Sequence, residues 1–557
     1  MDSEPEVHKF CIIIGAGAGG LIQAAELLRK KVLQLQDIQI LERNSDYGGV
    51  WKAATYPGAA CDVFSCTYQV SWHRNPDWNY LFPTASELVQ YYKNFAKYFN
   101  ITDCTTFNQS ITHATWSEER SLWVVDVLDG RSGTHKRWTC RVLVQAAGTY
   151  NRISTPQLPG MDRFKGDMWH ASEWPMHYDF TGKTVAYVGT GPTSVQVLPY
   201  IQAQAKSVKV FCRSMTYCHP FNNFKYPTWV KWVFRWVPGV LALYALLVAN
   251  LFAIWAYFAF RPESWIAKNT ERYCRRHLKR QISDPILLQQ LTPTGRFGSK
   301  RPLVSLSGFF ETLQKDNVEL ISNPIIAVDD AGIITKPPHT SDIVLQIDEP
   351  EVDGQSSTAS QTKEQQSHIE ADIIIWGTGF KMQGWGGAVP TIGRNGQLLS
   401  EHWRDFPDAL YGEYTNCFLL LSKISNWTIT AGTMTSAFPN LIFVNGPNTT
   451  TPWGSLIRGL EMQAAFNRKV IRLIHQKSII NPCYALEPRQ EMEEAWTTSL
   501  QAELNKLATS PEYGPAFYYL NEKGQNTFFF PWTQQYYRWK TRTLDVAQYV
   551  ESGVTEF

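Results

Sequence analysis

Two glycine-rich loops constrain this chain more than any other feature. Gly15-Ala16-Gly17-Ala18-Gly19-Gly20 follows the apolar run Phe10-Cys11-Ile12-Ile13-Ile14. Gly189-Thr190-Gly191-Pro192-Thr193-Ser194 follows Thr184-Val185-Ala186-Tyr187-Val188. An apolar run that stops at glycine reads as a buried parallel strand. Gly15, Gly17 and Gly20 have the GxGxxG spacing, which serves a tight turn, close approach of backbone to a pyrophosphate, and packing of helix on strand. A helix follows at once in Leu21-Ile22-Gln23-Ala24-Ala25-Glu26-Leu27-Leu28, and its N-terminal N–H groups favour a diphosphate. The next strand, Ile38-Gln39-Ile40-Leu41, ends in Glu42, a carboxylate suited to ribose hydroxyls. In the second loop Ser194 replaces the third glycine, where a small side chain suffices. The strand after it, Ser207-Val208-Lys209-Val210-Phe211-Cys212, ends in Arg213-Ser214. A guanidinium there matches a 2′-phosphate. The first site therefore reads as FAD or NAD, the second as NADPH.

With 557 residues the chain is too long for one compact core and suits two or three domains. A hydrophobic content of 44% rules out wholesale disorder. The net charge of +2, with no basic stripe, gives no reason to expect a nucleic-acid partner. The 10 cysteines are scattered, without a CxxC pair or a zinc spacing. No metal is expected, and free thiols point to a reducing, cytoplasmic compartment. The acidic N-terminus leads straight into a strand-like run, so no signal peptide is expected.

Between the two loops lies Phe164-Lys165-Gly166-Asp167-Met168-Trp169-His170-Ala171-Ser172-Glu173-Trp174-Pro175. Read as FxGxxxHxxxWP through Phe164, Gly166, His170, Trp174 and Pro175, it resembles the fingerprint of Baeyer–Villiger monooxygenases. Gly48-Gly49-Val50-Trp51 and Tyr56-Pro57-Gly58-Ala59-Ala60-Cys61-Asp62 are similar to the GGTW and YPGARCD patterns of that family. So is Lys300-Arg301-Pro302, followed by Phe309-Phe310-Glu311. Toward the C-terminus the chain resembles fungal members. Two departures stand out: Ala60 replaces the usual arginine, and Lys381 the usual aspartate after the second strand-to-turn run, which ends Gly377-Thr378-Gly379-Phe380.

The resemblance implies that FAD and NADPH are the cofactors. Gly49, Trp51, Asp62 and Tyr68 would stand with the flavin, and Arg213, Ser214 and Lys300 at the NADPH phosphate. Arg301 and Asp62 would be catalytic, with Asp62 holding and orienting Arg301. In such enzymes reduced flavin and O2 give a C4a-peroxyflavin, which must stay deprotonated to attack a ketone. A guanidinium keeps its proton near neutral pH and stabilises the anions that form. His170 would have a conformational role rather than one in proton transfer. The substrate expected is a bulky lipophilic ketone, a secondary-metabolite intermediate, converted with O2 to an ester or lactone. Two rivals are a heteroatom-oxidising flavin monooxygenase and a catalytically idle, membrane-associated flavin-binding protein.

The expected fold class is α/β, with two Rossmann-like dinucleotide-binding domains. Residues 1–150 would begin the FAD domain and 151–183 form a linker carrying the fingerprint. Residues 184–380 would form the NADPH domain, with a helical insert at 222–291, and 381–557 return to the FAD domain. Residues 350–369, rich in Ser, Gln, Thr and Glu, read as a flexible loop. Residues 236–260 carry no charge, long enough to span a bilayer. A single crossing would put Arg213 and Arg301 on opposite sides of a membrane. Three arrangements stay open: a buried insert, a hairpin turning near Pro238-Gly239, or a helix in the interface, with membrane contact through residues 229–260. The oligomeric state is not legible.

Overall fold

The computed structural model describes residues 6–305, 308–336, 367–382, 388–404, 432–452, 454–514, 519–521 and 523–553. Two sheets organise the chain. In the larger, Val7–Ile14 runs parallel to Ile38–Glu42 on one side and to His135–Gln145 on the other. Residues Cys11 to Ile14 of that strand are fully or nearly fully buried, as a strand covered on both faces should be. Leu122–Asp129 and Gln109–Ser117 extend the sheet antiparallel. Leu441–Phe443 joins it beside Leu143 to Gln145, so the C-terminal part of the chain returns to the first nucleotide fold. Helix Ala18–Arg29 is clamped by Leu456–Ile480 through Asn467 to Gln23 at 3.1 Å and Arg468 to Glu26 at 2.9 Å.

The second sheet is parallel throughout, in the order Val318–Ile321, Ser207–Phe211, Thr184–Val188, Ile373–Trp376, Asp167–His170. Alternate residues feed two cores. Val185, Tyr187, Ile373 and Ile375 pack toward helix Pro192–Gln202, while Ala186, Ile374 and Trp376 pack on the opposite face. Part of the segment expected as a linker is thus an edge strand. Its apolar Met168 and Trp169 pair with Ile374 and Ile375. Gly166 precedes it because a Cβ there would stand 2.2 Å from the Asp372 carbonyl oxygen.

The expected loop at 350–369 needs a correction at its end. Ser367–Glu370 is a strand, antiparallel to Gly332–Thr335, in a small three-stranded sheet. Polar residues serve in such a strand because one face meets solvent. Residues 350–366 lie outside the described residues.

The insert is helical: Thr228–Trp236, Val240–Ala259, Trp265–Gln281 and Pro285–Leu291. The chain turns at Pro238-Gly239, with Gly239 at φ 80°. The inner face of Val240–Ala259 lies against the body of the protein. There Phe252 meets Phe64 (ring centroids 5.9 Å apart) and Trp255 meets Phe297 (5.9 Å). Among the described residues its outer face is exposed, while the helices after it send Cys274, Leu278, Leu287 and Leu291 into the core.

Candidate active site

The two loops are built alike. The Gly15 N–H donates to the Leu41 carbonyl and the Gly189 N–H to the Phe211 carbonyl, each at 2.9 Å, so each loop is tied to the neighbouring parallel strand. Gly17 and Gly191 cap the helices that follow without a side-chain hydrogen bond, and neither helix has an acid in its first turn. Their N–H groups are left to an anion. In the first site the Gly49 Cα lies so near that a Cβ added to Gly49 would stand 3.0 Å from the Gly17 Cα. Glu42 is buried at the strand end. Its Oε2 accepts from the Ala16 N–H at 2.7 Å and its Oε1 from the Asn44 N–H at 2.8 Å. Each carboxylate oxygen accepts twice, which leaves capacity for ribose hydroxyls. Trp51 Nε1 donates to the Tyr68 hydroxyl at 3.2 Å, and burial holds that phenol well above its usual range.

At the second site a Cβ on Gly191 would meet nothing within 4 Å. The space beside the loop is open, which leaves room for a pyrophosphate. Ser194 is buried, and its hydroxyl donates to the Gly191 carbonyl at 2.5 Å, so serine fits where the third glycine was replaced. Lys300 donates to the Ser214 hydroxyl and lies 3.4 Å from its carbonyl. Desolvation, and then the Arg213 guanidinium, holds the Lys300 ammonium below the usual lysine range. A phosphate would relieve the repulsion and repay the desolvation. The residues expected at a 2′-phosphate are thus together, and they fit one.

Arg301 and Asp62 meet. The Nη2 of Arg301 donates to the Asp62 Oδ2 at 2.5 Å, with the arginine side chain 35% and the aspartate 19% exposed. The Nη1 donates to the Tyr150 hydroxyl at 3.2 Å. The guanidinium is therefore fixed by two partners on two amino groups. The Asp62 loop is itself docked on the second nucleotide fold. Gln196 donates from Nε2 to the Ala60 carbonyl at 2.9 Å, and its Oε1 accepts from the Ala60 N–H and the Tyr56 hydroxyl, each at 3.2 Å. Only backbone groups of residue 60 are used, so alanine keeps this contact.

The fingerprint residues do not join the Arg301–Asp62 pair directly. Trp174 is buried, and its carbonyl, just before Pro175, accepts from Thr55 at 3.3 Å. Phe164 packs on the opposite face of the second sheet. His170 is buried at the sheet edge, where its Nδ1 accepts from the Ser172 N–H at 3.2 Å. Desolvation lowers its pKa. A path of rings leads from it to the site: His170 to Phe380 (6.0 Å), Phe380 to Tyr150 (5.5 Å), then the bond to Arg301. Tyr150 and Gln196 escaped the sequence reading. The signal for Tyr150 was its place just past the Ala147-Gly148-Thr149 turn; Gln196 had none, because its role appears only when two distant loops meet.

Two facing dinucleotide folds, with a cation from the second held by a carboxylate from the first, define an oxidoreductase of two nucleotides. Residues 8–235 match the family model described as flavin-binding monooxygenase-like. The chain is 32% identical over 542 residues to the FAD-binding monooxygenase BOA2 of Botryotinia fuckeliana, covering 97% of this chain and 94% of that one. It is 28% identical to a Baeyer–Villiger monooxygenase of Streptomyces coelicolor, across 99% of this chain and 94% of the relative. Its fold is that of cyclohexanone monooxygenase from Rhodococcus sp. Phi1 bound to NADP+, with a TM-score of 0.76 and 22% identity over 99% of this chain and all of that one. The chain belongs to the flavin-binding monooxygenase family.

Proposed function

We infer that this protein is an FAD-containing, NADPH- and O2-dependent Baeyer–Villiger monooxygenase. It converts a bulky lipophilic ketone, such as a secondary-metabolite intermediate, to an ester or lactone. Ketone, O2, NADPH and a proton go in; ester, water and NADP+ come out. The observation that carries this reading is the Arg301–Asp62 pair joining the two nucleotide folds; the named relatives support it. FAD, when bound and reduced by NADPH, supplies the activation of O2.

The chain's own residues do the rest. The Gly15–Gly17–Gly20 loop and Glu42 hold one dinucleotide, with Gly49, Trp51 and Tyr68 beside it. Gly189, Gly191 and Ser194 hold the other, and Arg213, Ser214 and Lys300 take its 2′-phosphate. Arg301 keeps its proton near neutral pH and stabilises the negative charge that develops on the carbonyl oxygen when the ketone is attacked. Asp62 and Tyr150 keep the guanidinium in place. His170 acts on the relative setting of the two folds. The rings around the site, Tyr150, Phe380, Tyr519 and Phe529, favour an apolar substrate. The protein acts in the cytoplasm, and a lipid contact through residues 229–260 belongs to the same reading.

The variant Arg301→Ala should bind FAD and still oxidise NADPH, while ester formation falls by about 100-fold or more, as for loss of an oxyanion donor. Product analysis with a ketone and a thioether offered together separates the two chemistries. Sulfoxide without ester would overturn the reading.

A further inference from the structure

Among the described residues, the insert presents an exposed apolar surface. Along Val240–Ala259 the outward residues are Leu243, Leu246, Leu247, Leu251, Ile254 and Phe258, spaced three and four apart on one face. All are exposed, Leu251 at 67%. The opposite face, with Leu241, Ala245, Ala256 and Ala259, is buried. A surface helix normally turns charge toward water. This one is apolar on both faces, and one of them is open. Just before it, Trp229, Trp232 and Trp236 recur along one side of Thr228–Trp236 and are exposed, Trp229 at 69%. Trp265, which opens the next helix, is exposed as well.

Charge points to the occupant. From Phe221 to Pro262 there is no Asp or Glu, while Lys225, Lys231, Arg235 and Arg261 are present. Of these, Arg235 is neutralised by Asp77, so the cations left beside the tryptophans are the exposed Lys225 and the half-buried Lys231, which donates to the neutral Asn79 at 2.6 Å. The neighbouring helix Trp265–Gln281 exposes Arg272, Arg276, Lys279 and Arg280 against the single acid Glu271. Apolar residues bordered by tryptophan and then by cations match the layers of an anionic leaflet.

We propose that this face docks on one leaflet of a membrane containing anionic lipid, with Val240–Ala259 lying in the plane of the interface. This rests on the lipid contact in the reading above and makes it specific. A lone spanning helix would have lipid all round it; here the inner face is held by Phe64, Phe297 and Phe529 through Phe252, Trp255 and Phe260. Those partners are near neighbours of the chemistry. Phe64 lies two residues from Asp62, and Phe297 four from Arg301.

The test uses the FAD-loaded full chain and sedimentation with vesicles, of phosphatidylcholine alone or mixed with phosphatidylserine. The protein should sediment with the mixed vesicles, less with the neutral ones, and come off at alkaline carbonate. The double variant Leu247→Glu, Leu251→Glu changes only exposed residues. It should bind vesicles about tenfold more weakly or worse, with unchanged flavin absorbance and unchanged turnover of a small water-soluble ketone. Wild-type protein left in the supernatant, or a variant that sediments equally, overturns the proposal. So does resistance to carbonate, which would mean a span. A dimer in light scattering that the variant breaks, without vesicle binding, would make a second copy the occupant. Vesicle binding needs no turnover, so yellow protein that binds lipid but makes no ester sinks the reaction and not this surface.

Discussion

Lys300 carries the sharpest consequence at the scale of single residues. Desolvation and Arg213 press its pKa down, while an unfolded lysine titrates near ~10.4. Between the lowered value and the ordinary one, the unfolded chain holds more protons than the folded one. The coenzyme-free protein therefore gains stability as pH rises through that window. Coenzyme binding runs the other way, because a 2′-phosphate favours the charged ammonium. KM for NADPH should therefore climb as pH rises, starting below the usual lysine range, with kcat little changed. KM for NADH should stay flat. Lys300→Arg should remove the climb, since a guanidinium does not titrate there. Steady-state kinetics from neutral to alkaline pH decide it. An Arg variant that traces the wild-type curve takes Lys300 off the phosphate.

At the scale of elements, each strand–loop–helix unit shows which glycines serve the fold and which serve a ligand. A Cβ on Gly20 would stand 2.0 Å from the Gly15 carbonyl oxygen, so Gly20→Ala forces helix and strand apart. Gly191 has open space and an unstrained backbone. Gly191→Ala should fold with wild-type melting temperature and full flavin content, yet bind NADPH about tenfold or more weakly, because its methyl occupies the pyrophosphate's place. A binding titration unchanged from wild type would mean the coenzyme does not pass there. This difference explains what could be read beforehand. Both units were legible because strand period, glycine spacing and the charge at the second strand's end are local. The edge strand Asp167–His170 was not, since only four residues carry it and its partner, Ile373–Trp376, lies some 200 residues on. The apolar insert left three arrangements open for a similar reason. Hydrophobicity fixes that Val240–Ala259 avoids water, not what it rests against. The meeting of Arg301 with Asp62 was expected from the resemblance; its second partner, Tyr150, was not.

At the scale of the whole molecule, the question is how two nucleotide folds agree on one geometry. Arg301 follows the second fold and Asp62 the first, and their bond crosses between them. The loop of residues 56–62 that carries Asp62 is docked on helix Pro192–Gln202, where Gln196 makes three hydrogen bonds to Ala60 and Tyr56. Each neutral bond is worth about 1 kcal/mol net. Gln196→Ala should therefore loosen Asp62 without touching either dinucleotide. The expected signature is normal flavin content, normal KM for NADPH, and an ester-to-NADPH ratio lowered by about tenfold, with hydrogen peroxide making up the difference. Gln196→Glu keeps an acceptor for the Ala60 N–H and the Tyr56 hydroxyl but sets a buried carboxylate oxygen against the Ala60 carbonyl, so it should lower the ratio at least as far. A role confined to stability would lower the melting temperature of both variants and leave the ratio of ester to NADPH where it was; that ratio is the measurement on which the coupling of the two folds stands.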